Sequence, residues 1–287
     1  MLRDNIARRR MIGAILHGLF LACTLAGVIF LVILLWQATA PGWSHLNWDF
    51  LNNFPSRRPS QAGIKAALAG SLYMIAITIL LSVPIGVAAA IYLEEYQKKG
   101  FVNTLIEINI ANLAGVPSII YGLLGLGLFV RWMALDRSVI SGALTMTILV
   151  LPVIIIAARE ALRAVPDSLR QAAFALGATR WQTVQHHVLP AALPGILTGV
   201  ILSISRALGE TAPLITIGAL TYVAFVPTKL TDGFTVLPIQ IFNWASRPQK
   251  EFLEVASAGI IVLLAVLLLL NSVAILIRHK FEGGKKW

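Results

Sequence analysis

Long apolar runs separated by polar segments make up most of this chain. Six of these runs have about 20 residues or more, the length that a helix needs to cross a hydrocarbon core about 30 Å thick. They are 11–36, 64–93, 104–130, 137–158, 191–225 and 254–277. The pattern predicts an all-α, polytopic membrane protein with six transmembrane helices.

Hydrophobic residues form 57% of the 287 residues and charged residues only 13%, which is not the composition of a soluble globular domain. The net charge of +10 would suit a nucleic-acid partner, but the basic residues lie mostly at the ends of apolar runs, where they set membrane orientation. We therefore expect membrane lipid, and no nucleic acid, around this chain. The single cysteine, Cys23, excludes an intrachain disulfide and a cysteine-based metal cluster.

The basic residues also predict the orientation of the chain. If the N-terminus lies inside, the inner segments carry fourteen Lys and Arg residues and the outer segments carry eight. The inner set is Arg3, Arg8, Arg9, Arg10, Lys98, Lys99, Arg159, Arg163, Arg170, Arg180, Arg278, Lys280, Lys285 and Lys286. The outer set is Arg57, Arg58, Lys65, Arg131, Arg137, Lys229, Arg247 and Lys250. Because Lys and Arg concentrate on the cytoplasmic side, both termini and the loop 159–190 are expected in the cytoplasm.

The first apolar run has two interpretations. Ala38-Thr39-Ala40 resembles the small-residue site at which a signal peptide is cleaved. The run is, however, far longer than a signal-peptide core of about 7–15 residues, so we expect an uncleaved membrane helix. The expected division is a first helix with its external loop at 1–62, a transmembrane domain at 63–278 and a cytoplasmic tail at 279–287.

The polar segment 159–190 has more internal order than a connecting loop needs. Residues 168–171 and 179–182 both have the S/T-x-x-Q form of a capping box, so each predicts the start of a short helix. Gly177 predicts a left-handed stop for the first helix, and Pro190 predicts the end of the second.

An apolar face is expected on each of these short helices. Leu169, Ala172, Ala173 and Leu176 fall at helical spacing on the first, and Trp181 begins the face of the second. Two capped amphipathic helices in a large loop of a membrane protein predict a docking surface for a soluble partner.

The fifth apolar run contains two charges, Arg206 and Glu210, which lie four residues apart and so on one helix face. A charged residue at the centre of a spanning helix costs about 2.5–3.5 kcal/mol and normally faces a bundle interior or a wet pathway. Two interpretations stay open from the residues alone. One is an ion pair that ties helices together; the other is an anion site in a permeation path, where Arg206 offers a planar fork to an oxyanion.

The third apolar run is rich in small residues and contains a proline. Pro117 predicts a kink, and Gly122 and Gly125 predict close approach of neighbouring helices in lipid.

The chain carries no nucleotide or metal signature. A G-x-x-x-x-G-K-[ST] loop and an H-E-x-x-H motif are both missing from the sequence, and the adjacent His186 and His187 point to different sides of a helix. We expect no cofactor or metal on this chain and no bond chemistry performed by it.

Two stretches resemble known transport proteins. The coupling loop of the ABC-importer permeases has the pattern E-A-A, three residues, Gly, nine residues, an aliphatic residue, one more residue, and Leu-Pro. This chain has Gln171-Ala172-Ala173, Gly177 and Leu189-Pro190 at those intervals. It departs from the pattern at Gln171, where the pattern has Glu, and at His187, where the pattern has an aliphatic residue.

A narrower resemblance comes from S-R-A-L-G-E-T-A-P-L at 205–214 and N-L-A-G-V-P-S-I-I-Y-G-L at 112–123. Together these stretches look like the permease subunits of the phosphate ABC importers of bacteria. The resemblance implies a type I ABC-importer permease fold in the cytoplasmic (inner) membrane, and inorganic phosphate as the substrate. It implies a second, related permease subunit as heterodimer partner, two cytoplasmic ATPase subunits that bind ATP-Mg, and an external phosphate-binding protein. It favours the interpretation of Arg206 and Glu210 as an anion site in the translocation pathway. It assigns ATPase coupling to Gln171, Ala172, Ala173, Leu176, Gly177, Ala178, Thr179 and Trp181.

Two other functions remain possible at this stage. An ABC permease for sulfate, molybdate or another oxyanion would share the coupling loop, but should lack the 205–214 signature. An ATP-independent channel or secondary carrier would leave the capped loop at 159–190 without a purpose.

Overall fold

The computed structural model describes residues 2–97, 100–219 and 222–282. Within those ranges the chain is all-α, without a β-strand. The helices are α1 (Leu2–Thr39), α2 (Trp48–Asn52), α3 (Lys65–Ile91), α4 (Phe101–Ala114), α5 (Ser118–Gly125), α6 (Val139–Arg163), α7 (Asp167–Ala175), α8 (Arg180–Thr183), α9 (Leu189–Gly209), α10 (Ala212–Ile217), α11 (Leu237–Ala245) and α12 (Glu251–Glu282). Lys98, Lys99, Lys285 and Lys286, which entered the orientation count, lie outside the described residues.

Five continuous helical segments in the described residues are long and apolar enough to cross a membrane, and the bent pair α4–α5 supplies a sixth. The chain that leads into α4 lies beside the coupling loop, because Glu95 accepts a hydrogen bond from Arg170. The chain after α5 reaches the opposite end of the molecule, where Ser138 forms an isolated bridge with Gly233. The bent pair therefore crosses the membrane once, and the prediction of six spans is confirmed.

The third span is not the single helix that was predicted over 104–130. Its two halves, α4 and the segment Ser118–Trp132, meet at a bend of 100°. Pro117 has no backbone N–H and disfavours helical geometry in the residue before it, so the helix stops and restarts. The Tyr121 hydroxyl donates a hydrogen bond of 2.7 Å to the carbonyl of Leu113, which satisfies an acceptor that the break leaves open.

The fifth span also differs from the prediction, which ended one helix at Pro190 and began the span at 191. The helix is continuous from Arg180 to Gly209. A π-helical turn at Val184–Val188 precedes Pro190, and such a turn accommodates a residue that lacks a backbone N–H. The span then ends early: the chain is non-helical at Glu210, and Gly218 (φ 85°) ends the short helix α10.

The two predicted capping boxes have different outcomes. The helix α7 begins at Asp167, directly after Pro166, and has no side-chain cap. The prediction of a capping box at 168–171 is therefore wrong. The box at 179–182 is present: the Thr179 N–H donates to Gln182 Oε1 at 2.8 Å, and the Gln182 N–H donates to Thr179 Oγ1 at 3.3 Å. Gly177 has φ 81°, the left-handed stop that the sequence predicts.

The core lies where α3, α6 and α9 pack together around Met74, Met146 and Leu208. A second cluster lies where α2 and α11 meet and includes Phe50 and Trp244. The third cluster lies at the coupling-loop end and consists of Ala90, Ala158, Leu162, Val165, Val188, Ala192 and Ile196. By contrast, α1 has no buried residue in its apolar window. The fold thus positions two features, a cavity beside the broken helix and a polar loop at one end.

Candidate translocation site and coupling surface

Arg206 lies in the last turn of α9, and Glu210 follows the end of that helix in extended geometry. The distance from Arg206 Nε to Glu210 Oε1 is 3.3 Å, and the two side chains are 60% and 18% exposed. The pair joins two turns of one segment, so it does not tie two helices together. At 1.5 Å per residue, Arg206 lies about 24 Å along the helix from Pro190, beyond the midpoint of a core about 30 Å thick.

Neighbouring residues on α9 explain why Arg206 is exposed. Ala207 and Leu208 are buried in the core, and Ser205 donates a hydrogen bond to Asn271 on α12. These contacts fix the rotation of the helix about its own axis. Arg206 is left on a face that the rest of the described chain does not cover.

Arg206 also lines a cavity of about 20 Å³, which is room for about one water molecule. The other lining residues come from the break in the third span and from α6 and α9: Leu113, Ala114, Val116, Ser118, Tyr121, Leu149, Val150, Val153 and Ser203. Irregular backbone at membrane depth is tolerated where it lines such a cavity. The cavity therefore combines one cation with the two half-helix ends of the third span.

This arrangement favours an anion. In the described residues Arg206 donates only through Nε, so its two terminal nitrogens make no hydrogen bond with protein. A guanidinium presents those nitrogens as a fork that matches a tetrahedral or planar oxyanion. The first turn of α5 begins at Ser118 on the cavity wall, and the N-terminus of a helix carries a partial positive charge.

Gly122 and Gly125 lie at close contacts beside this cavity. A Cβ on Gly122 would lie 2.6 Å from Pro213 Cα on α10, and a Cβ on Gly125 would overlap Thr145 on α6. No side chain larger than hydrogen fits at either position without a shift. Pro117 lies at the break itself, as the residue before α5.

We call the exposed part of the loop 159–190 the coupling surface. It contains most of the residues to which the resemblance assigns ATPase coupling. Six of the eight are exposed, namely Gln171, Ala172, Leu176, Gly177, Thr179 and Trp181, while Ala178 is half-buried. Ala173 is buried, so it packs against the protein itself. The predicted single apolar face of α7 is therefore wrong: α7 ends at Ala175, and Leu176 leaves the helical face before the left-handed Gly177.

Sequence reasoning missed two features near this surface. Phe174, two residues before Leu176, is also exposed and enlarges the apolar surface; a large apolar residue directly after Ala172 and Ala173 was the available signal. The second is a set of ion pairs that connects the coupling loop to the turn after α3 and to the middle of α4. No local pattern announces it, because its partners are 52 to 75 residues apart.

The strongest of these pairs joins Arg170 on α7 to Glu95. Arg170 Nη2 lies 2.7 Å from Glu95 Oε1, and Nε lies 3.2 Å from the same oxygen. Arg170 also donates to the carbonyls of Leu162 and Val165 at the end of α6. The hydrogen bond to Glu95 raises the pKa of the Arg170 guanidinium above its usual value. The charge on Arg170 is therefore permanent.

The described residues contain no group of three His, Cys, Asp or Glu side chains that could hold a metal ion. The geometry thus consists of an anion-favouring cavity and an exposed, partly apolar surface at the coupling-loop end.

Comparison with known proteins places this geometry in a family. Residues 82–283 match the family model described as the inner membrane component of binding-protein-dependent transport systems. The phosphate transport system permease protein PstA 1 of Mycobacterium tuberculosis (strain CDC 1551 / Oshkosh) is 34% identical over 96% of this chain and 91% of its own length. The phosphate transport system permease protein PstA of Yersinia pestis is 33% identical over 95% and 92%.

A solved structure shares the fold at lower identity. It is a bacterial ABC transporter involved in the import of the acidic polysaccharide alginate, and one of its chains matches this one with a TM-score of 0.65 at 18% identity, over 91% of this chain and 95% of that one. The fold is therefore that of the ABC-importer permeases, in a multi-pass protein of the inner membrane. Since the family model covers well over half of the sequence, the chain belongs to the inner membrane components of binding-protein-dependent transport systems.

Proposed function

We propose that this chain is a permease subunit of an ATP-driven importer of inorganic phosphate. It forms half of the translocation pathway, and a second, related permease subunit forms the other half. The observation that carries the proposal is the exposed guanidinium of Arg206 at membrane depth, on the wall of a cavity beside a broken helix. The names of the similar proteins, which are phosphate transport system permeases, support the choice of anion.

Arg206 binds the anion in transit. A bidentate guanidinium holds two oxygens of phosphate, and the start of α5 at Ser118 adds a partial positive charge on the same cavity wall. Glu210 keeps this hold weak, because its carboxylate competes for the guanidinium at 3.3 Å. A transport site must release what it binds, so a moderated cation suits passage better than an unopposed one.

Glu210 also supplies selectivity. Inorganic phosphate retains a proton at neutral pH, whereas sulfate does not. A carboxylate only accepts hydrogen bonds, so Glu210 favours an oxyanion with an O–H and repels one without. This separates phosphate from sulfate at one side chain.

The coupling surface receives the ATPase. Two cytoplasmic subunits bind and hydrolyse ATP-Mg, and this chain performs no bond chemistry itself. Phe174, Leu176 and Trp181 form the apolar part of the surface that one ATPase subunit covers. An external phosphate-binding protein delivers the substrate at the other end. Closure of the ATPase pair moves the coupling helices, and the spans change between outward and inward access.

The proposed function is accompanied by a proposed division of the chain into three segments. Residues 1–62 form the first membrane helix and its external loop, 63–278 form the permease domain with the coupling loop 159–190, and 279–287 form a cytoplasmic tail. Both termini lie in the cytoplasm.

The test is ATP-dependent uptake of labelled phosphate by vesicles that contain the complete complex, with excess sulfate as competitor. We expect uptake that needs ATP and that sulfate leaves unchanged. Uptake that sulfate blocks would replace the proposal with a broader oxyanion permease for sulfate or molybdate. Uptake that proceeds without ATP would replace it with a channel or carrier.

A further inference from the structure

Three consecutive residues directly after α3, namely Glu94, Glu95 and Tyr96, contact α6 and the two short helices α7 and α8 of the coupling loop. They lie in the π-helical turn Tyr92–Tyr96, which follows α3 and is the last part of the helical segment Lys65–Tyr96. Turns of this kind interrupt the regular helix and are frequent at functional sites. We call Tyr92–Tyr96 the α3 turn.

Glu95 and Tyr96 of the α3 turn hold the two coupling helices. Glu95 is only 9% exposed and bonds Arg170 of α7, which is itself 15% exposed. The guanidinium of Arg180, the first residue of α8, lies over the ring of Tyr96 with its Cζ 6.0 Å from the centroid. The coupling helices are thus attached to a span that is distant from them in sequence, as well as to their own flanking spans.

Glu94, the remaining charged residue, connects the α3 turn to α6. Glu94 Oε2 accepts from Arg163 Nε at 2.9 Å and from Arg159 Nη2 at 3.4 Å. Below these pairs, Ala90, Leu162 and Val188 belong to one buried cluster, so the ends of α3, α6 and the coupling loop pack as a unit. Charged pairs over a packed cluster favour movement as one body.

Arg159 extends the network to α4. Its Nη2 donates to Glu107 Oε1 at 2.8 Å, and its side chain is nearly buried. The helix α4 has no fully buried residue in this chain, and it packs on one side against α6. Glu107 adds a charged contact to this packing and so connects α4 to the ion pairs at the end of α6.

The C-terminal end of α4, seven residues beyond Glu107, forms part of the Arg206 cavity. Leu113 and Ala114 line it, and α4 ends at Ala114, where the third span breaks. Glu107 lies near the middle of α4, about 10 Å from Ala114 at 1.5 Å per residue. A displacement of α4 at Glu107 thus reaches the cavity wall through one rigid helix.

We propose that the α3 turn is the transmission element of this permease. Glu95 and Tyr96 receive the movement of the coupling helices, and Glu94, Arg159 and Glu107 pass it to α4 and so to the wall of the Arg206 cavity. The inference rests on the proposed function, because only an ATP-driven permease needs such a connection. Glu94, Arg159 and Glu107 act here as positioning residues, since none of them lies on the cavity.

The first test separates uptake from ATP hydrolysis in vesicles that contain the complete complex. Glu107→Gln removes the charge that anchors α4 and leaves the coupling helices intact. We expect phosphate uptake to fall about tenfold or more while ATP hydrolysis stays within about twofold of the unaltered complex. The matched control is Glu160→Gln, since Glu160 lies beside Arg159 but is largely exposed, and its carboxylate pairs with Arg163 at 3.4 Å. Its uptake should stay within about twofold. Unchanged uptake in Glu107→Gln, or an equal loss in both variants, overturns the inference.

The second test does not depend on the substrate. With Cys23→Ser as background, spin labels at Ser168→Cys on α7 and Val102→Cys on α4 report the distance between these helices in the assembled complex. We expect ATP to leave this distance unchanged when Glu107 is present and to change it in Glu107→Gln, because the link is then broken. A change of equal size in both chains, or in neither, overturns the transmission role. If the unaltered complex takes up no phosphate, the proposed function fails, and the two-label distances still decide the inference.

Discussion

A guanidinium at membrane depth is tolerated only where protein or water meets its donors, since a bare charge there costs several kcal/mol. Arg206 meets a single protein acceptor, the Glu210 carboxylate, in the described chain. An Nε–Oε1 distance of 3.3 Å is longer than the 2.7–2.9 Å or so of a strong charged hydrogen bond. The residue is therefore held loosely and is open to a competing anion.

Arg206→Met tests that role directly. The variant removes the guanidinium and keeps an apolar side chain of similar length, so the bundle should still assemble. We expect phosphate uptake to fall about 10- to 100-fold, because a charge-assisted hydrogen bond contributes about 1.5–3 kcal/mol. Arg206→Lys keeps the positive charge but not the planar fork of the guanidinium, so its phosphate uptake should lie between that of the unaltered complex and that of Arg206→Met. Uptake by the assembled complex is the measurement, and loss of assembly in Arg206→Met would indicate a structural ion pair instead.

Glu210→Gln tests selectivity. The amide can donate a hydrogen bond, whereas the carboxylate can only accept. We expect sulfate, which offers acceptors alone, to become a competitor of phosphate uptake in this variant, and phosphate uptake itself to fall several-fold. The measurement is inhibition of labelled phosphate uptake by excess sulfate. If sulfate remains without effect while phosphate uptake is normal, Glu210 has no part in selection.

At the scale of elements, the two helix breaks at Gly115–Pro117 and Glu210 distinguish the fold from a simple bundle. The glycines and prolines at the breaks are visible in the sequence, and they predict a kink. A full break of 100° depends on contacts that no pattern records, such as the Tyr121 hydroxyl on the Leu113 carbonyl. The long apolar runs predict the spans because hydrophobic length is a local property. The breaks are tertiary properties.

The packing of α5 on α10 depends on a missing side chain. Gly122→Ala places a Cβ 2.6 Å from Pro213 Cα and in overlap with Thr216, so one of the helices must shift. Overpacking of this kind costs about 1–3 kcal/mol. Gly127→Ala, in the same segment, meets nothing within 4 Å and is the matched control. We expect the thermal unfolding midpoint in detergent to fall for Gly122→Ala only; equal midpoints would contradict the close approach of α5 and α10.

The coupling surface has an apolar centre that a charge should disrupt. Leu176 is 89% exposed, so Leu176→Asp should leave the fold unchanged and place an unpaired carboxylate in the proposed contact with the ATPase. We expect the ATPase subunit to be lost from the purified complex. Ser168→Asp puts the same charge in the first turn of α7, where a helix N-terminus favours it, and should retain the subunit. Copurification on a tagged permease measures both; retention by Leu176→Asp would disprove docking at this position.

At the scale of the whole molecule, some of the charged residues discussed above can be predicted from the sequence and others cannot. Arg206 and Glu210 are conspicuous because charges are rare within apolar runs. The pairs Glu95–Arg170 and Glu107–Arg159 are not conspicuous, because each residue lies in an ordinary polar segment and its partner is 75 or 52 residues away. A charged residue within an apolar run can be recognised from the sequence alone. An ion pair between two polar segments can be recognised only once the fold brings its partners together.

Orientation is the property on which both functional surfaces depend. The excess of Lys and Arg predicts that the coupling loop is cytoplasmic, and the fold places that loop and the α2 region at opposite ends, each with its own buried cluster. With Cys23→Ser as background, Ser60→Cys and Ser168→Cys put one exposed thiol at each end. We expect a membrane-impermeant maleimide to label Ser60→Cys in intact cells and Ser168→Cys only after permeabilisation. The reverse result would place the coupling loop outside, away from any ATPase, and would exclude ATP-driven transport through this surface.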